Sequence, residues 1–334
     1  MASHYVGGHL AHRTSQQLLR VVSAAGVGLL LAGCEFEQSA LHPAGRDAEE
    51  LSGLTWFMFA GAVVVWSIVM GVTVYAVLGR KRPRTERFAD LFILGGGVAF
   101  PTICLAILLV YGLSLLPSWT SADAPGVRIH VKAEQYWWRL GYELPDGRVL
   151  ETANELHLPN DVTAEFVLTS TDVIHSLWIP ALGGKMDAIP GRTNVLRLTP
   201  TKAGTYRGVC AEFCGPSHTF MAFPVVVHQP ADFAAWLEAE RTPAAAGSEL
   251  FAASGCDACH TIRGVAETGK VGPDLTHFGS RTTIGAATLP NTRENLLAWL
   301  ADPQRIKPGA AMPGYASLPE ADRTAIADYL MGLK

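Results

Sequence analysis

Cys210-Ala-Glu-Phe-Cys214-Gly-Pro-Ser-His218-Thr-Phe-Met221 gathers two thiols, an imidazole and a thioether into twelve residues. Ligands this soft select copper over magnesium or calcium. A second imidazole, His175, stands 35 residues upstream at the end of a strand-like segment. A blue-copper site uses one thiolate; here two lie four residues apart and can bridge two copper ions that share one unpaired electron. Such sharing keeps bond lengths nearly constant on oxidation and reduction, which fast electron transfer requires. The same pair also reads as a disulfide in an oxidising compartment or as part of a Cys2His2 zinc site. The disulfide leaves the flanking His218 and Met221 unexplained. His130, His157 and His228 have no partner pattern and read as strand or surface residues.

Around this stretch, residues 125–230 read as β structure. Short apolar runs (Val127–Val131, Thr163–Leu168, Thr193–Leu198, Phe223–Val227) are separated by Pro, Gly, Asn and Asp, the pattern of a sandwich or Greek-key barrel. Ala231–Arg241 predicts a helix, 242–247 is a small-residue linker, and helical patterns resume from 248. In that last part Cys256-Asp-Ala-Cys259-His260 has the Cys-x-x-Cys-His spacing of a c-type haem attachment site. Each thiol can bond one vinyl group, and the adjacent histidine then faces the iron. Met312 follows His260 by 52 residues, in Lys307-Pro-Gly-Ala-Ala-Met-Pro313, with Gly272-Pro-Asp-Leu275 between. A thioether ligand raises the potential relative to a second histidine and suits electron transfer. A redox-active dithiol is the competing reading of Cys256 and Cys259, and His277 is the rival to Met312. Trp299 and Tyr315 read as packing around the haem.

Upstream lie two uncharged apolar runs, Leu54–Leu78 and Leu91–Leu116, of 25 and 26 residues, long enough to cross roughly 30 Å of hydrocarbon. The segment Gly79–Asp90 between them carries five basic and two acidic residues, which places this tip in the cytoplasm and both ends outside. Before the first run, Val21–Leu31 is shorter than a span and ends in Leu31-Ala-Gly-Cys34. That ending resembles the lipobox of bacterial lipoproteins and implies cleavage before Cys34 and a lipid on its sulfur.

Thr171-Asp-Val-Ile-His-Ser176 and Lys185-Met-Asp-Ala-Ile-Pro-Gly-Arg192, with the cysteine stretch, resemble subunit II of haem–copper cytochrome c oxidases over roughly residues 50–228. Residues 245–334 resemble class I cytochrome c. The resemblance implies a multidomain chain: a transmembrane helical hairpin, an all-β cupredoxin (Greek-key) domain and an all-α class I cytochrome c domain. Its boundaries would be 1–33 for the signal peptide, 34–120 for the N-terminal segment and hairpin, 121–240 for the cupredoxin and 241–334 for the cytochrome. It implies a binuclear CuA centre with Cys210 and Cys214 as bridging thiolates, His175 and His218 each on one copper and Met221 as a weak axial ligand. Glu212 would offer its backbone carbonyl to copper and its side chain to a magnesium ion shared with subunit I, consistent with the preference of magnesium for carboxylate oxygen. Haem c would be held by Cys256 and Cys259, with His260 and Met312 on the iron.

The implied function is that of a caa3-type oxidase subunit, in the cell membrane of a bacterium with its redox domains outside. Electrons would pass from a donor, cytochrome c or a bc1-type complex, through haem c and CuA to haem a of subunit I, where oxygen is reduced to water and protons are pumped. Subunit I (haem a and haem a3–CuB), subunit III and membrane lipid would be the partners. A different terminal reductase of the nitric oxide reductase type, and a non-catalytic copper-binding assembly lipoprotein, are the alternatives. Two departures stand out. Where the family has a tryptophan that receives electrons from cytochrome c, this chain has Gln135-Tyr136-Trp137-Trp138, with Tyr136 in that place; these three aromatics are candidates for electron input or for sandwich-edge packing. No glutamate occurs in Leu91–Leu116, where the family often has one serving a proton channel.

Composition agrees with these parts. Of 334 residues, 49% are hydrophobic and only 17% charged, below the roughly 25% of soluble domains. The net charge of −4 argues against nucleic acid as the partner, since phosphate binding needs a basic face. Residues 117–240 carry fourteen acidic and nine basic groups, a surface able to attract a basic donor and equally explained by solubility.

Overall fold

The computed structural model describes residues 38–79, 85–120, 125–244 and 247–334; Cys34, its signal segment and the basic run 80–84 lie outside them. Helix α1 (Arg46–Leu78) carries Asp47 and Glu49 in its first turn, where the helix dipole favours acids. Helices α2 (Glu86–Leu94) and α3 (Phe100–Thr120) run on through a π turn at Gly95–Ala99. That turn falls on three successive glycines, which are weak helix formers. Both apolar runs are long and apolar enough to cross a membrane, and the protein buries none of their apolar windows. The Phe57 and Tyr111 rings meet edge to face at 5.5 Å and join the two. Helix α1 begins eight residues before the expected span because its first turn is tied to the β domain. The amides of Ala44, Arg46 and Ala48 donate to the carbonyls of Ala181, Thr199 and Leu182.

Ten strands follow: β1 (Val127–Glu134), β2 (Trp137–Glu143), β3 (Val149–Ala153), β4 (Leu156–Pro159), β5 (Ala164–Ser170), β6 (His175–Trp178), β7 (Met186–Ala188), β8 (Asn194–Leu198), β9 (Gly204–Cys210) and β10 (Ala222–His228). They form two five-stranded sheets, ordered β3-β2-β1-β5-β8 and β4-β10-β9-β6-β7. Alternation decides which face is inside: Ile129, Val131 and Ala133 are buried, while Arg128 and His130 are exposed. Trp138, Leu140, Phe166, Leu177 and Phe223 fill the space between the sheets.

Register also builds an ionic ladder. Glu165 on β5 faces Arg128 of β1 and Arg197 of β8 across both pairings. Its buried carboxylate accepts from Arg128 Nε at 2.8 Å and from Arg197 Nε and Nη2 at 2.9 and 2.6 Å. Burial by itself would raise this carboxyl, but the hydrogen bonds from Arg197 and Arg128 outweigh it and hold it below the usual carboxylate range. A group depressed in the folded state stabilises above its unfolded pKa and loses that contribution as pH falls through the folded value. Glu165→Gln is therefore expected to lower stability at pH 7 by about 2 kcal/mol, the worth of hydrogen bonds to a charged group. The deficit should shrink below pH ~4 as the native carboxylate protonates; thermal unfolding of both proteins at pH 7 and pH 3.5 checks it.

Helix α4 (Pro230–Glu240) closes the β domain. The C-terminal domain packs α5 (Glu249–Ala253), α6 (Arg293–Ala301), α7 (Pro303–Ile306) and α8 (Glu320–Gly332) around a second core that includes Phe251, Ile262, Leu296, Ile326 and Leu330. To these helices it adds a two-residue ribbon, β11 (Thr283–Ile284) with β12 (Leu289–Pro290). Gly285, Ala286 and Ala287 reverse the chain there in left-handed conformations, with φ of 63°, 59° and 58°.

Candidate functional site

Sheet register brings the first histidine to the thiols. β6 pairs with β9 so that Leu177 faces Cys210, and His175, two residues before, reaches the mouth of the Cys210–Met221 loop. Gly215 turns that loop with φ of +130°, and a Cβ there would meet the Tyr136 hydroxyl at 2.5 Å, so glycine is required. The Cys210 amide donates to the Met221 carbonyl at 2.9 Å and closes the loop on itself.

The donor atoms converge. Cys210 Sγ lies 3.8 Å from His175 Nδ1 and 3.9 Å from Cys214 Sγ. Cys214 Sγ lies 3.6 Å from His218 Nδ1 and 3.9 Å from Met221 Sδ, and Cys210 Sγ is 3.2 Å from the Glu212 carbonyl. Each thiol thus has its own histidine, with the thioether beside Cys214 and the carbonyl beside Cys210. Both cysteines are free. Among the described residues, His175, Cys210 and Cys214 form the one group of three His, Cys, Asp or Glu side chains close enough to share an ion. The residues fit a pair of bridged soft metal ions.

Electrostatics favour a cation here. The Cys214 thiol, His175 and backbone amides stabilise a Cys210 thiolate and lower its pKa to about 4. The same negative neighbour, together with burial, pushes Cys214 up. The two shifts set negative charge on a buried sulfur with two imidazoles nearby, a setting that a soft cation would neutralise. His175 is completely buried; burial lowers its pKa, but the Cys210 thiolate and Asp172 outweigh this and raise it. Asp172 Oδ1 sits 2.8 Å from His175 Nε2, which orients Nδ1 toward sulfur. The same carboxylate accepts from the amides of Gln135 and Val173 at 2.6 and 2.7 Å. Sequence reasoning passed over Asp172, although its place three residues before a ligand histidine is a usable signal.

The Glu212 side chain is exposed, with one oxygen 3.8 Å from Lys185 Nζ. Phe213 beside it is 76% exposed. The three aromatics separate. Trp138 is fully buried in the sandwich core, its ring 5.5 Å from Phe223 and 6.3 Å from His175. Trp137 is half-buried under the Arg139 guanidinium at 4.7 Å. Tyr136, 5% exposed, wedges between the cysteine loop and the C-terminal domain.

A second cavity brings Cys256, Cys259, His260 and Met312 together, with about 1290 Å³ of atom-free space including its open mouth. His260 Nδ1 lies 2.8 Å from the Pro273 carbonyl. A carbonyl only accepts, so Nδ1 carries the proton and Nε2 keeps a free lone pair. Burial lowers the His260 pKa, against the pull of the Pro273 bond, and favours that neutral ring. Gly272 packs flat on it, since a Cβ there would stand 2.5 Å from Cε1. The residues fit a covalent tetrapyrrole with an imidazole and a thioether on its metal. His277 lies outside this cavity and donates to the Thr242 carbonyl at 2.9 Å. Gln135, Tyr136, Trp137 and Asn154 of the β domain form part of the cavity wall.

The two domains are joined by further bonds. Ser217 Oγ donates to the Pro308 carbonyl at 2.6 Å, Arg263 Nη1 to the Glu151 carbonyl at 2.9 Å, and the Thr282 amide and hydroxyl to Glu155 Oε2 at 2.9 and 2.7 Å.

Comparison with known proteins covers both domains. The family "Cytochrome C oxidase subunit II, periplasmic domain" matches residues 130–229, and "Cytochrome c" matches 244–334. Cytochrome c oxidase subunit 2 of Alkalihalophilus pseudofirmus is 32% identical over 92% of this chain and 94% of its own. The Bacillus subtilis protein of that name is 33% identical over 94% and 97%. The solved periplasmic domain of subunit II of cytochrome oxidase (CoxB) of Bradyrhizobium japonicum is 30% identical, covering 36% of this chain and 96% of that one with a TM-score of 0.34. With the near-complete overlap of the two full-length relatives, the chain belongs to the cytochrome c oxidase subunit 2 family, in a form that carries a C-terminal cytochrome c domain.

Proposed function

We propose that this chain is the electron-accepting subunit of a caa3-type oxidase, taking electrons from a cytochrome donor and delivering them to subunit I for proton-pumping reduction of oxygen to water. One observation carries this reading: the wall of the haem cavity and the support of the cysteine loop are the same segment. Gln135 and Tyr136 line the cavity, while Gln135 Nε2 donates to the Cys214 carbonyl at 2.5 Å and Tyr136 packs on Gly215. When bound, the copper pair held by His175, Cys210, Cys214, His218 and Met221, with the Glu212 carbonyl, and the haem held by Cys256, Cys259, His260 and Met312 would each supply a one-electron redox centre. The chain's own part is to exclude water and hold both ligand sets rigid. A covered Tyr136 offers no stacking surface to a soluble donor, so the donor meets the C-terminal domain instead.

In this reading the helical hairpin docks to subunit I, with subunit III beside it. Both termini and both redox domains lie on the outer side of the membrane, and Cys34 carries lipid. Glu212, exposed at the edge of the site, would offer a carboxylate oxygen to a magnesium ion shared with subunit I.

Stopped-flow reduction by a cytochrome donor tests the route. Met312→Ala is expected to slow reduction of copper at least tenfold; an unchanged rate would refute it. Two coppers and one haem c per chain, co-purifying with an oxygen-reducing haem a subunit, separate this function from an assembly lipoprotein and from a nitric oxide reductase subunit.

A further inference from the structure

The domain junction centres on a buried lysine. Lys307 is 2% exposed, and its Nζ donates to the carbonyls of Tyr136 at 2.6 Å, Phe220 at 2.7 Å and Gly285 at 2.6 Å. An ammonium has three N–H donors and nothing else to offer, and three main-chain oxygens take all of them. Two of those oxygens belong to the β domain. The third belongs to the left-handed turn of the ribbon, whose next carbonyl, that of Ala286, accepts the Ala222 amide at 3.3 Å. Alanines at positive φ are strained and persist only where the surroundings hold them.

The neighbouring residues serve the same contact. The Pro308 carbonyl accepts from Ser217, and Gly309, at φ +81°, lets the chain approach the Tyr136 ring, where a Cβ would come within 3.1 Å. Among the described residues no carboxylate bonds to the Lys307 ammonium, so its burial is costly unless every donor is met. Burial pushes its pKa down to about 7, with the neighbouring Cys214 acting against that shift.

We infer that Lys307 is a positioning residue whose ammonium fastens the loop carrying Met312 to the loop carrying His218 and Met221, holding the two centres in one arrangement. A tether alone gives two domains a high effective concentration but leaves their orientation to diffusion; three short bonds from one buried group fix the orientation. The inference rests on the electron-transfer function proposed above, and two of its readouts do not depend on that function.

The experiment uses the full chain with its copper and haem in detergent. In the unmutated protein, an amine-reactive reagent should label Lys307 at least 100-fold more slowly than the exposed Lys202 and Lys270; equal labelling would overturn the inference without any variant having to fold. In Lys307→Met, hydrogen exchange at the Ala222 amide should quicken at least tenfold, while core amides such as Val225 and Leu330 stay protected. Electron transfer between the centres after photoreduction of the haem should slow at least tenfold, with each centre's spectrum unchanged. Unchanged protection at Ala222 would overturn the fastening role, and lost protection with an unchanged transfer rate would overturn the positioning role. If Met312→Ala instead refutes the electron route, the labelling and exchange results still decide whether Lys307 fastens the domains.

Discussion

Cys210→Ser is expected to abolish the delocalised two-copper centre. The two sulfurs stand 3.9 Å apart with one imidazole beside each, so both thiolates together would hold the copper pair. A serine hydroxyl is a harder and far less acidic ligand that soft copper binds poorly, so the variant should hold one localised copper or none. The measurement is copper content with electron paramagnetic resonance: hyperfine splitting from two equivalent nuclei should vanish, and a single-copper pattern or silence should replace it. A retained two-nucleus signal would remove Cys210 from the bridging role. Asp172→Ala should act more mildly, lowering copper affinity about 10–100-fold as other partners behind a ligand histidine do, because Asp172 orients His175 and touches neither sulfur.

The largest effect on stability is expected from Trp138→Ala. Trp138 has no exposed surface and packs against both Phe223 and the ring of His175. Removing a buried aromatic of this size costs about 3–5 kcal/mol, and the cavity would open directly behind a copper ligand. Denaturant unfolding of the variant should show a much lower midpoint with little change in slope, and metal-loading assays should show weakened copper binding. Trp138→Phe keeps most of the packing and should lose less than half as much. A loss under about 0.5 kcal/mol, the usual cost of a surface change, would place Trp138 at an exposed electron-input patch instead of in the core.

The candidate ligands were readable because most of them are close in sequence. Cys210, Glu212, Cys214, His218 and Met221 lie in one loop, and Cys256, Cys259 and His260 in one turn, so spacing alone limits where their donor atoms can go. His175 and Met312 are distant, and motif resemblance supplied them; strand register and the shape of a cavity bring them in. The uncharged spans were equally legible, since length and composition are all that crossing a bilayer demands. Strands with regular apolar alternation could be read as well. β2 was harder, because Trp-Trp-Arg-Leu-Gly-Tyr-Glu mixes an arginine and a glycine into the run.

By itself, then, the sequence determined the two long apolar helices, the loop of soft ligands, the Cys-x-x-Cys-His turn and the order in which they follow one another. Each of these depends on neighbours within a dozen or so residues, or on simple hydrophobicity. Only the tertiary structure decided that Tyr136 is a covered wedge, that Trp138 is core, that Asp172 stands behind His175 and that Lys307 is buried between two domains. Those roles depend on which surfaces meet. Lys307 lies 171 residues from Tyr136 and bonds only to main-chain oxygens, which every residue possesses, so no side-chain pattern in the sequence marks its partners.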